Sequence, residues 1–277
     1  MSALFRLFSR CPLGLLHALG SVLGWLAFVL SPAYRHRFMA NAAQAGYTLA
    51  QVRGAVAEAG RMTAELPRLW LGAPPPIHWD GAELIDAAHA AGRGVMFLTP
   101  HLGCFEITAQ GYATRFGVGG PGPITVLYRP ARQAWLRELL RSARSRPGLA
   151  TAPTTLAGVK QMLKALRAGQ AVGLLPDQTP PQGLGVWALF FGREAYTMTL
   201  SVRLAQQSGA TVLLAWGERL DGAQGYTIHL RGLQAPLEAD ATRAAAQVNA
   251  EMERLIRECP QQYLWGYARY KQPRKEM

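Results

Sequence analysis

The stretch GVMFLTPHLGCFEITAQ, residues 94–110, joins a short apolar run to a polar turn and then to a helix-like segment. Residues 94–99 suit a buried strand, and Pro100 biases Thr99 toward extended backbone, so the strand should end there. His101 then lies in a turn, and Glu106 lies in an early turn of the following helix. A strand that leads directly into a helix is typical of the units that build a parallel sheet.

The rest of the chain beyond residue 77 alternates in the same way. The strand-like runs lie at 94–99, 123–128, 170–176, 210–216 and 226–232, and the helix-like segments lie at 82–91, 133–146, 155–169, 199–209 and 240–260. Such alternation predicts an α/β fold with a mostly parallel central sheet flanked by helices.

The N-terminal part has a different pattern. Residues 11–30 carry no formal charge and are long enough to cross a bilayer as a helix, although basic residues flank both ends and give no clear orientation. We expect a membrane-associated helix that spans the bilayer or lies in its interface, with a buried core helix as the alternative. Residues 38–71 look helical and amphipathic, and GAPPP at 72–76 breaks the pattern. We therefore divide the chain into an N-terminal anchor and helical region, residues 1–76, and a catalytic α/β domain, residues 77–277.

The composition points to an anionic partner. The chain of 277 residues is 49% hydrophobic and only 17% charged, with 29 Lys and Arg against 17 Asp and Glu, a net charge of +12. Such an excess suits acidic lipid or nucleic acid, and composition alone does not choose between them. The three cysteines, Cys11, Cys104 and Cys259, lie far apart and show no metal-ligand spacing, which favours small buried side chains in a reducing compartment.

The five-residue gap between His101 and Glu106 has a chemical consequence. On one regular helix, residues five apart point about 140° apart, so the two side chains can meet only if His101 lies outside the helix. A carboxylate on one ring nitrogen fixes the tautomer and leaves the other nitrogen to take a proton. We therefore predict a catalytic pair in which His101 is a general base and Glu106 orients it. Gly103 permits close approach of a ligand, and nearby N–H groups are candidates for holding an oxyanion.

Alternatives to this interpretation remain open from the residues alone. A histidine near an apolar strand is often a satisfied structural residue, and a bare His-x4-Glu pattern also arises by chance. Cys104 as a nucleophile is a competing idea that no local activating pattern supports.

Two further polar clusters follow predicted strands. Arg129 follows residues 123–128, and Asp177 with Gln178 follows residues 170–176. In open α/β sheets, ligands bind beyond the carboxyl ends of the strands, so we expect these groups and His101 to meet at one edge. Arg129 is a candidate for binding, and Asp177 with Gln178 are candidate functional groups, with a capped turn as the alternative for Asp177.

Two segments beside these clusters have simpler interpretations. Arg137 and Arg141 are best explained as a solvated basic helix face. A flexible loop follows Gln178 and ends in the aromatic pair Phe190 and Phe191, which with Trp187 would cover an acyl chain, dip into lipid or belong to the core.

Five blocks in order resemble a known family. TPHLGCFE, LYRP, LLPDQ, FFGREAYT and QYLWGYARYK together resemble the bacterial lipid A late acyltransferases, the lauroyl and myristoyl transferases, over most of the chain. The related glycerolipid acyltransferases more often carry His-x4-Asp and lack the DQ block. One departure is ARQAW after LYRP, where that family often has an asparagine.

The resemblance implies an activity, partners and a location. It implies a monotopic enzyme at the cytoplasmic face of the bacterial inner membrane, which moves a fatty acyl group from acyl-carrier protein to a hydroxyl of a lipid A precursor. By this resemblance His101 is the base, Glu106 orients it, and Arg129, Asp177 and Gln178 line the substrate site. Acyl transfer from a thioester needs neither a metal nor a redox cofactor, and we expect none.

Other functions compatible with the residues are kept as alternatives. One is a related acyltransferase that acts on another glycolipid, an aminolipid or a lysophospholipid. The non-enzyme alternative is a basic protein that binds membranes or nucleic acid. Nucleic-acid binding is disfavoured because the arginine cluster lacks interleaved aromatics and the apolar N-terminal stretch would have no purpose.

Overall fold

The computed structural model describes residues 2–128 and 146–274, and its sheets are built from nine described strands. These strands are β1 (Ile77–Asp80), β2 (Val95–Leu98), β3 (Ile124–Tyr128), β4 (Leu149–Pro153), β5 (Ala171–Leu174), β6 (Gly185–Phe190), β7 (Arg193–Met198), β8 (Thr211–Arg219) and β9 (Tyr226–Gly232).

Helices cover the sheet and form the N-terminal region. The described α-helices are α1 (Ser2–Phe8), α2 (Leu13–Leu30), α3 (Pro32–Gln44), α4 (Leu49–Val52), α5 (Gly54–Ala64), α6 (Leu66–Leu71), α7 (Glu83–Ala90), α8 (Phe105–Tyr112), α9 (Leu156–Arg167), α10 (Leu200–Ser208) and α11 (Ala241–Glu258). A π-helical turn, Ala113–Gly117, extends α8, and short 3₁₀ turns lie at Asp221–Ala223 and Pro260–Gln262.

The central sheet has seven strands in the order β1-β9-β8-β2-β5-β3-β4. Strands β8, β2, β5, β3 and β4 run parallel, β9 is antiparallel to β8, and β1 is parallel to β9. This confirms the predicted α/β fold with a mostly parallel sheet. Strand β2 is buried along its whole length because it lies in the middle of the sheet with both faces covered.

The segment after Gln178 corrects one prediction. The later half of the expected flexible loop is the first strand of an antiparallel hairpin, in which β6 pairs with β7 from Gly185↔Met198 to Phe190↔Arg193. Alternation along β6 buries Ala188 and Phe190 and exposes Leu189, as expected for a strand with one face on the core. Phe190 and Phe191 are both buried, so this aromatic pair belongs to the core.

Helix α2 lies along the body with one face and exposes the other. Leu16, His17, Gly20, Gly24 and Phe28 are its buried residues, while the large apolar side chains on the rest of its surface are exposed. The glycines let α2 approach α5 closely: a Cβ on Gly20 would lie 2.7 Å from the Cα of Arg61. Among the described residues, α2 alone is long and apolar enough to cross a membrane, and 28% of it is buried, which disfavours a core helix.

The region between α2 and the sheet is divided more finely than the sequence predicts. Residues 38–71 form the end of α3 and three shorter helices, and a capping box of Thr48 and Gln51 begins α4. The chain passes from α6 to β1 across 72–76. The division into residues 1–76 and 77–277 stays a prediction.

Candidate active site

The strands that carry the predicted site residues are neighbours. In the sheet order, β5 lies between β2 and β3, and Val95–Leu98 pairs in register with Ala171–Leu174. The amide of Thr99 donates to the carbonyl of Leu174 at 3.0 Å, which keeps the two chains together just beyond the strands. The turn that follows β2 and the turn that follows β5 therefore meet at one edge of the sheet.

His101 and Asp177 form a close pair at this edge. The Nδ1 atom of His101 lies 2.7 Å from Oδ1 of Asp177, and the backbone N–H of His101 donates to Oδ2 at 2.8 Å. Asp177 is 2% exposed, whereas His101 is half-buried. Burial alone would raise the pKa of Asp177, but the charge and hydrogen bonds of His101 outweigh it and hold this pKa below its usual range. The carboxylate thus stays ionised and accepts from Nδ1–H.

The other ring nitrogen of His101 meets Gln178. The amide nitrogen of Gln178 lies 3.0 Å from Nε2 of His101. With the Nδ1 proton donated to Asp177, Nε2 carries the lone pair and accepts from this amide. This tautomer is the one that a general base requires.

Residues near the C-terminus support this pair. The hydroxyl of Tyr263 donates to Oδ2 of Asp177 at 3.4 Å, and the charge of Arg269 helps lower the pKa of Asp177. Arg269 is 2% exposed and donates to the carbonyl of Tyr196 at 2.7 Å. Neither residue is assigned a role by the sequence pattern alone, although both lie in the block QYLWGYARYK, and that block is the signal that points to them.

Glu106 lies in the first turn of α8, where a carboxylate is favoured by the helix dipole. Its Oε2 accepts from Nε1 of Trp70 at 3.3 Å. The two ring nitrogens of His101 lie within hydrogen-bond distance of Asp177 and Gln178. The orienting role of Glu106 stays a prediction.

Gly103 has a structural part in this turn. Its φ is +58°, and an added Cβ would collide with the carbonyl oxygen of Gly217. Its N–H donates to the carbonyl of Gln262 at 3.0 Å, and its own carbonyl accepts from Arg219 at 2.9 Å. Contact of Gly103 with a substrate stays a prediction.

The N–H groups proposed for an oxyanion are already donated within the protein. Those of Leu102 and Cys104 donate to the carbonyls of Pro100 and Gly217, both at 2.7 Å. The N–H of His101 is held by Asp177. An oxyanion at this edge therefore needs donors other than these amides.

Three further features from the sequence concern Arg129, Cys104 and metal binding. Arg129 lies outside the described residues, as do Arg137 and Arg141. Cys104 is 1% exposed, and burial raises the pKa of its thiol well above the usual value, so it is held as a thiol rather than as a nucleophilic thiolate. Within residues 2–128 and 146–274, no group of three or more His, Cys, Asp or Glu side chains is arranged to hold a metal ion.

An apolar cavity of about 90 Å³ lies between the sheet and α8. Thr99, Phe105 and Glu106 contribute to its wall, and the edge of the Phe105 ring contacts His101 with centroids 4.9 Å apart. The other large apolar side chains of its wall are Trp79, Ile85, Phe97, Tyr112, Ile124, Val126, Leu127, Leu174, Leu175, Ile228 and Leu230. The cavity therefore suits an apolar group held beside the histidine.

These features define a class of α/β protein in which a half-buried histidine, hydrogen-bonded to a buried carboxylate, lies near an apolar cavity at the carboxyl edge of a mostly parallel sheet. Residues 6–272 match the family described as bacterial lipid A biosynthesis acyltransferase, and the chain belongs to that family. The resemblance seen in the sequence is thereby confirmed.

Curated relatives agree with this family. The chain is 29% identical over 194 residues to a lipid A biosynthesis lauroyltransferase of Escherichia coli (strain K12), covering 69% of this chain and 60% of the relative. It is 26% identical over 193 residues to a lipid A biosynthesis palmitoleoyltransferase of the same organism, with the same coverage. A lipid A biosynthesis acyltransferase of Haemophilus influenzae is 26% identical over 186 residues, 67% of this chain and 56% of the relative. The chain thus spans about 60% of the length of these relatives.

Proposed function

We propose that the protein transfers a fatty acyl group from the thioester of acyl-carrier protein to a hydroxyl of a lipid A precursor. The observation that carries this proposal is the 2.7 Å contact between Nδ1 of His101 and Asp177, beside an apolar cavity. The family and the names of the curated relatives support acyl transfer in lipid A synthesis.

The proposed reaction uses His101 as the base. Its Nε2 takes the proton of the acceptor hydroxyl, and the oxygen attacks the thioester carbonyl carbon. The tetrahedral intermediate then collapses, the carbon–sulfur bond breaks, and the leaving thiolate takes the proton back from Nε2. The imidazolium that forms in between is stabilised by the buried carboxylate of Asp177.

Gln178 and Asp177 have separate parts in this proposal. The acceptor hydroxyl replaces the amide of Gln178 at Nε2, and that amide is then placed to donate to an oxygen of the reacting centre. The orienting role goes to Asp177 because both of its oxygens contact His101. We assign Glu106 to the cavity wall, next to the ligand rather than to the base.

The experiment that tests the function is acyl transfer by purified His101→Ala. A general base contributes about 10²–10⁴-fold, so kcat should fall by about that order with a thioester of acyl-carrier protein as donor. The matched control is His36→Ala, because His36 is an exposed histidine on α3. Near-normal turnover of His101→Ala would contradict the role of His101 as the base, and absence of turnover in the wild type would favour a non-catalytic membrane protein.

The acceptor is identified by a separate measurement. Mass spectrometry of total lipids, with and without the gene, shows which lipid loses one acyl chain. A lipid A species that lacks a secondary acyl chain supports the proposal. Loss from another glycolipid, an aminolipid or a lysophospholipid instead supports a related acyltransferase with a different acceptor.

We further propose that α2 binds the cytoplasmic face of the bacterial inner membrane with its exposed side. Leu19 and Leu23 are 43% and 59% exposed on that side, and basic residues flank the helix. Since burying one leucine is worth about 2 kcal/mol, replacing both with serine should weaken flotation with anionic vesicles by at least about tenfold. Leu156→Ser, on the exposed side of α9, is the control. Unchanged flotation of the double variant would contradict this membrane contact.

A further inference from the structure

A second cluster of buried charges lies on the inner side of the turn that carries His101. This buried ionic cluster consists of His17, Glu58, Glu65, Arg219 and Tyr226. Glu65 is 0% and Arg219 4% exposed, so both charges are removed from water and need close partners.

Arg219, at the end of β8, is the centre of the cluster. Its Nε and Nη2 both donate to Glu65, at 2.9 and 2.7 Å, and its Nη1 donates to Glu58 at 3.1 Å. Burial alone would raise the pKa of Glu65, but Arg219 and His17 outweigh it and hold this pKa at about 2. The ion pair is therefore fixed in geometry as well as in charge.

Arg219 also holds the turn after β2. Its Nη2 donates to the carbonyl of Gly103 at 2.9 Å, two residues beyond His101. Gln262 connects the same two residues by a second path. Its side chain bonds the backbone N–H and carbonyl of Arg219 at 2.9 and 3.0 Å, and its carbonyl accepts from the N–H of Gly103. Both the N–H and the carbonyl of Gly103, a residue with positive φ, are thus hydrogen-bonded.

The far end of the cluster lies on α2. Nε2 of His17 lies 2.9 Å from Oε2 of Glu65, and both side chains are buried. A second connection runs from Ser21 of α2 through Arg61 to Glu58. A continuous chain of charge-assisted hydrogen bonds thus joins the N-terminal apolar helix to the turn of His101.

We propose that His17, Glu65 and Arg219 are positioning residues for acyl transfer. They connect α2 to the turn after β2 and so hold the backbone that carries His101 in place. The inference rests on the proposed function and adds that α2 is part of the active-site scaffold as well as a membrane contact. A displacement of about 1 Å at a reacting group can lower the rate by about 10²-fold. A small shift of the His101 turn after loss of the cluster is therefore enough to lower kcat.

The test compares His17→Leu with His17→Gln in the full chain in detergent micelles. His17→Leu removes the donor to Glu65, whereas the amide N–H of glutamine replaces it. We expect kcat of His17→Leu to fall by about tenfold to a hundredfold with KM for the acyl donor within about twofold, and His17→Gln to restore most of kcat. His36→Leu, the same change at an exposed histidine of α3, is the control and should keep the wild-type kcat.

Amide hydrogen exchange gives a readout that does not depend on acyl transfer. The N–H groups of Gly103 and Cys104 should exchange at least about tenfold faster in His17→Leu and at the wild-type rate in His17→Gln. Unchanged exchange at both amides, with unchanged kcat, would overturn the inference. If His17→Leu does not fold, His17→Asn replaces it with the same two outcomes, because its shorter side chain reaches less far toward Glu65. Absence of acyl transfer in the wild type would defeat the proposed function, while exchange still decides the positioning role.

Discussion

In the described part of the chain, His101 and His17 each contact a buried carboxylate, and the surroundings of these two pairs differ. His101 lies 2.7 Å from Asp177, and His17 lies 2.9 Å from Glu65. Both oxygens of Asp177 contact His101, through its ring and its backbone N–H. The oxygens of Glu65 are shared among Arg219, Tyr226 and His17. Asp177 therefore bonds mainly to His101, whereas Arg219 donates to both oxygens of Glu65.

This difference shows that the neighbours of a histidine–carboxylate pair decide what the pair can do. Glu65 is matched by a guanidinium, which makes a fixed structural ion pair. In the part of the chain that the structure describes, Nε2 of His101 meets the neutral amide of Gln178, and Phe105, which contacts the His101 ring, lines the apolar cavity. The His17–Glu65 pair suits positioning, and the His101–Asp177 pair suits proton transfer.

The largest expected effect concerns Asp177. Asp177→Asn places an amide where a carboxylate accepts from Nδ1–H, which favours the wrong tautomer of His101. We expect kcat to fall by about 10²–10⁴-fold, as for loss of the base itself. Glu106→Gln is the matched change at the other carboxylate, and it should cost less than about tenfold in kcat. The reverse order of the two effects would return the orienting role to Glu106.

The next effect is on stability and concerns Glu65. Glu65→Gln leaves Arg219 without its main counter-charge, which should lower the free energy of unfolding by about 3–5 kcal/mol at neutral pH, measured by urea denaturation. The pKa of Glu65 is about 2 when folded, against 4.5 for the free group, so its ionised form stabilises the fold above that range. This contribution of about 3 kcal/mol is lost as pH falls from about 4.5 to about 2. The variant should show a shallower loss over this window, and an unchanged slope would contradict the account.

Much of the fold and part of the site could be predicted from the sequence. Apolar runs of six or seven residues between helical segments predicted β2, β3 and β5, and the carboxyl ends of β2 and β5 bring His101 and Asp177 together. The sequence could not say which acid meets the histidine. Glu106 is near His101 along the chain, whereas Asp177 is 76 residues away, and only the adjacency of β2 and β5 brings it into contact.

Other features depend on contacts that carry no local signal. The β6–β7 hairpin was missed because GLGVWALFFGREAYT is rich in glycine, which is typical of loops as well as of turns between strands. The short strands β1 and β4 end in Asp80 and Pro153, which weakens their strand pattern. The pairing of His17 with Glu65 spans 48 residues and appears only when α2 packs on α5.

The most direct test of the central claim is nitrogen-15 NMR of His101 in the wild-type protein, Asp177→Asn and Glu106→Gln. The account predicts that Nδ1 of His101 carries a proton at neutral pH. The resonance of this proton should lie strongly downfield because its hydrogen bond to a carboxylate is short. That resonance should disappear in Asp177→Asn and persist in Glu106→Gln. Its persistence in Asp177→Asn, with loss in Glu106→Gln, would contradict the assignment of Asp177 as the partner of the base.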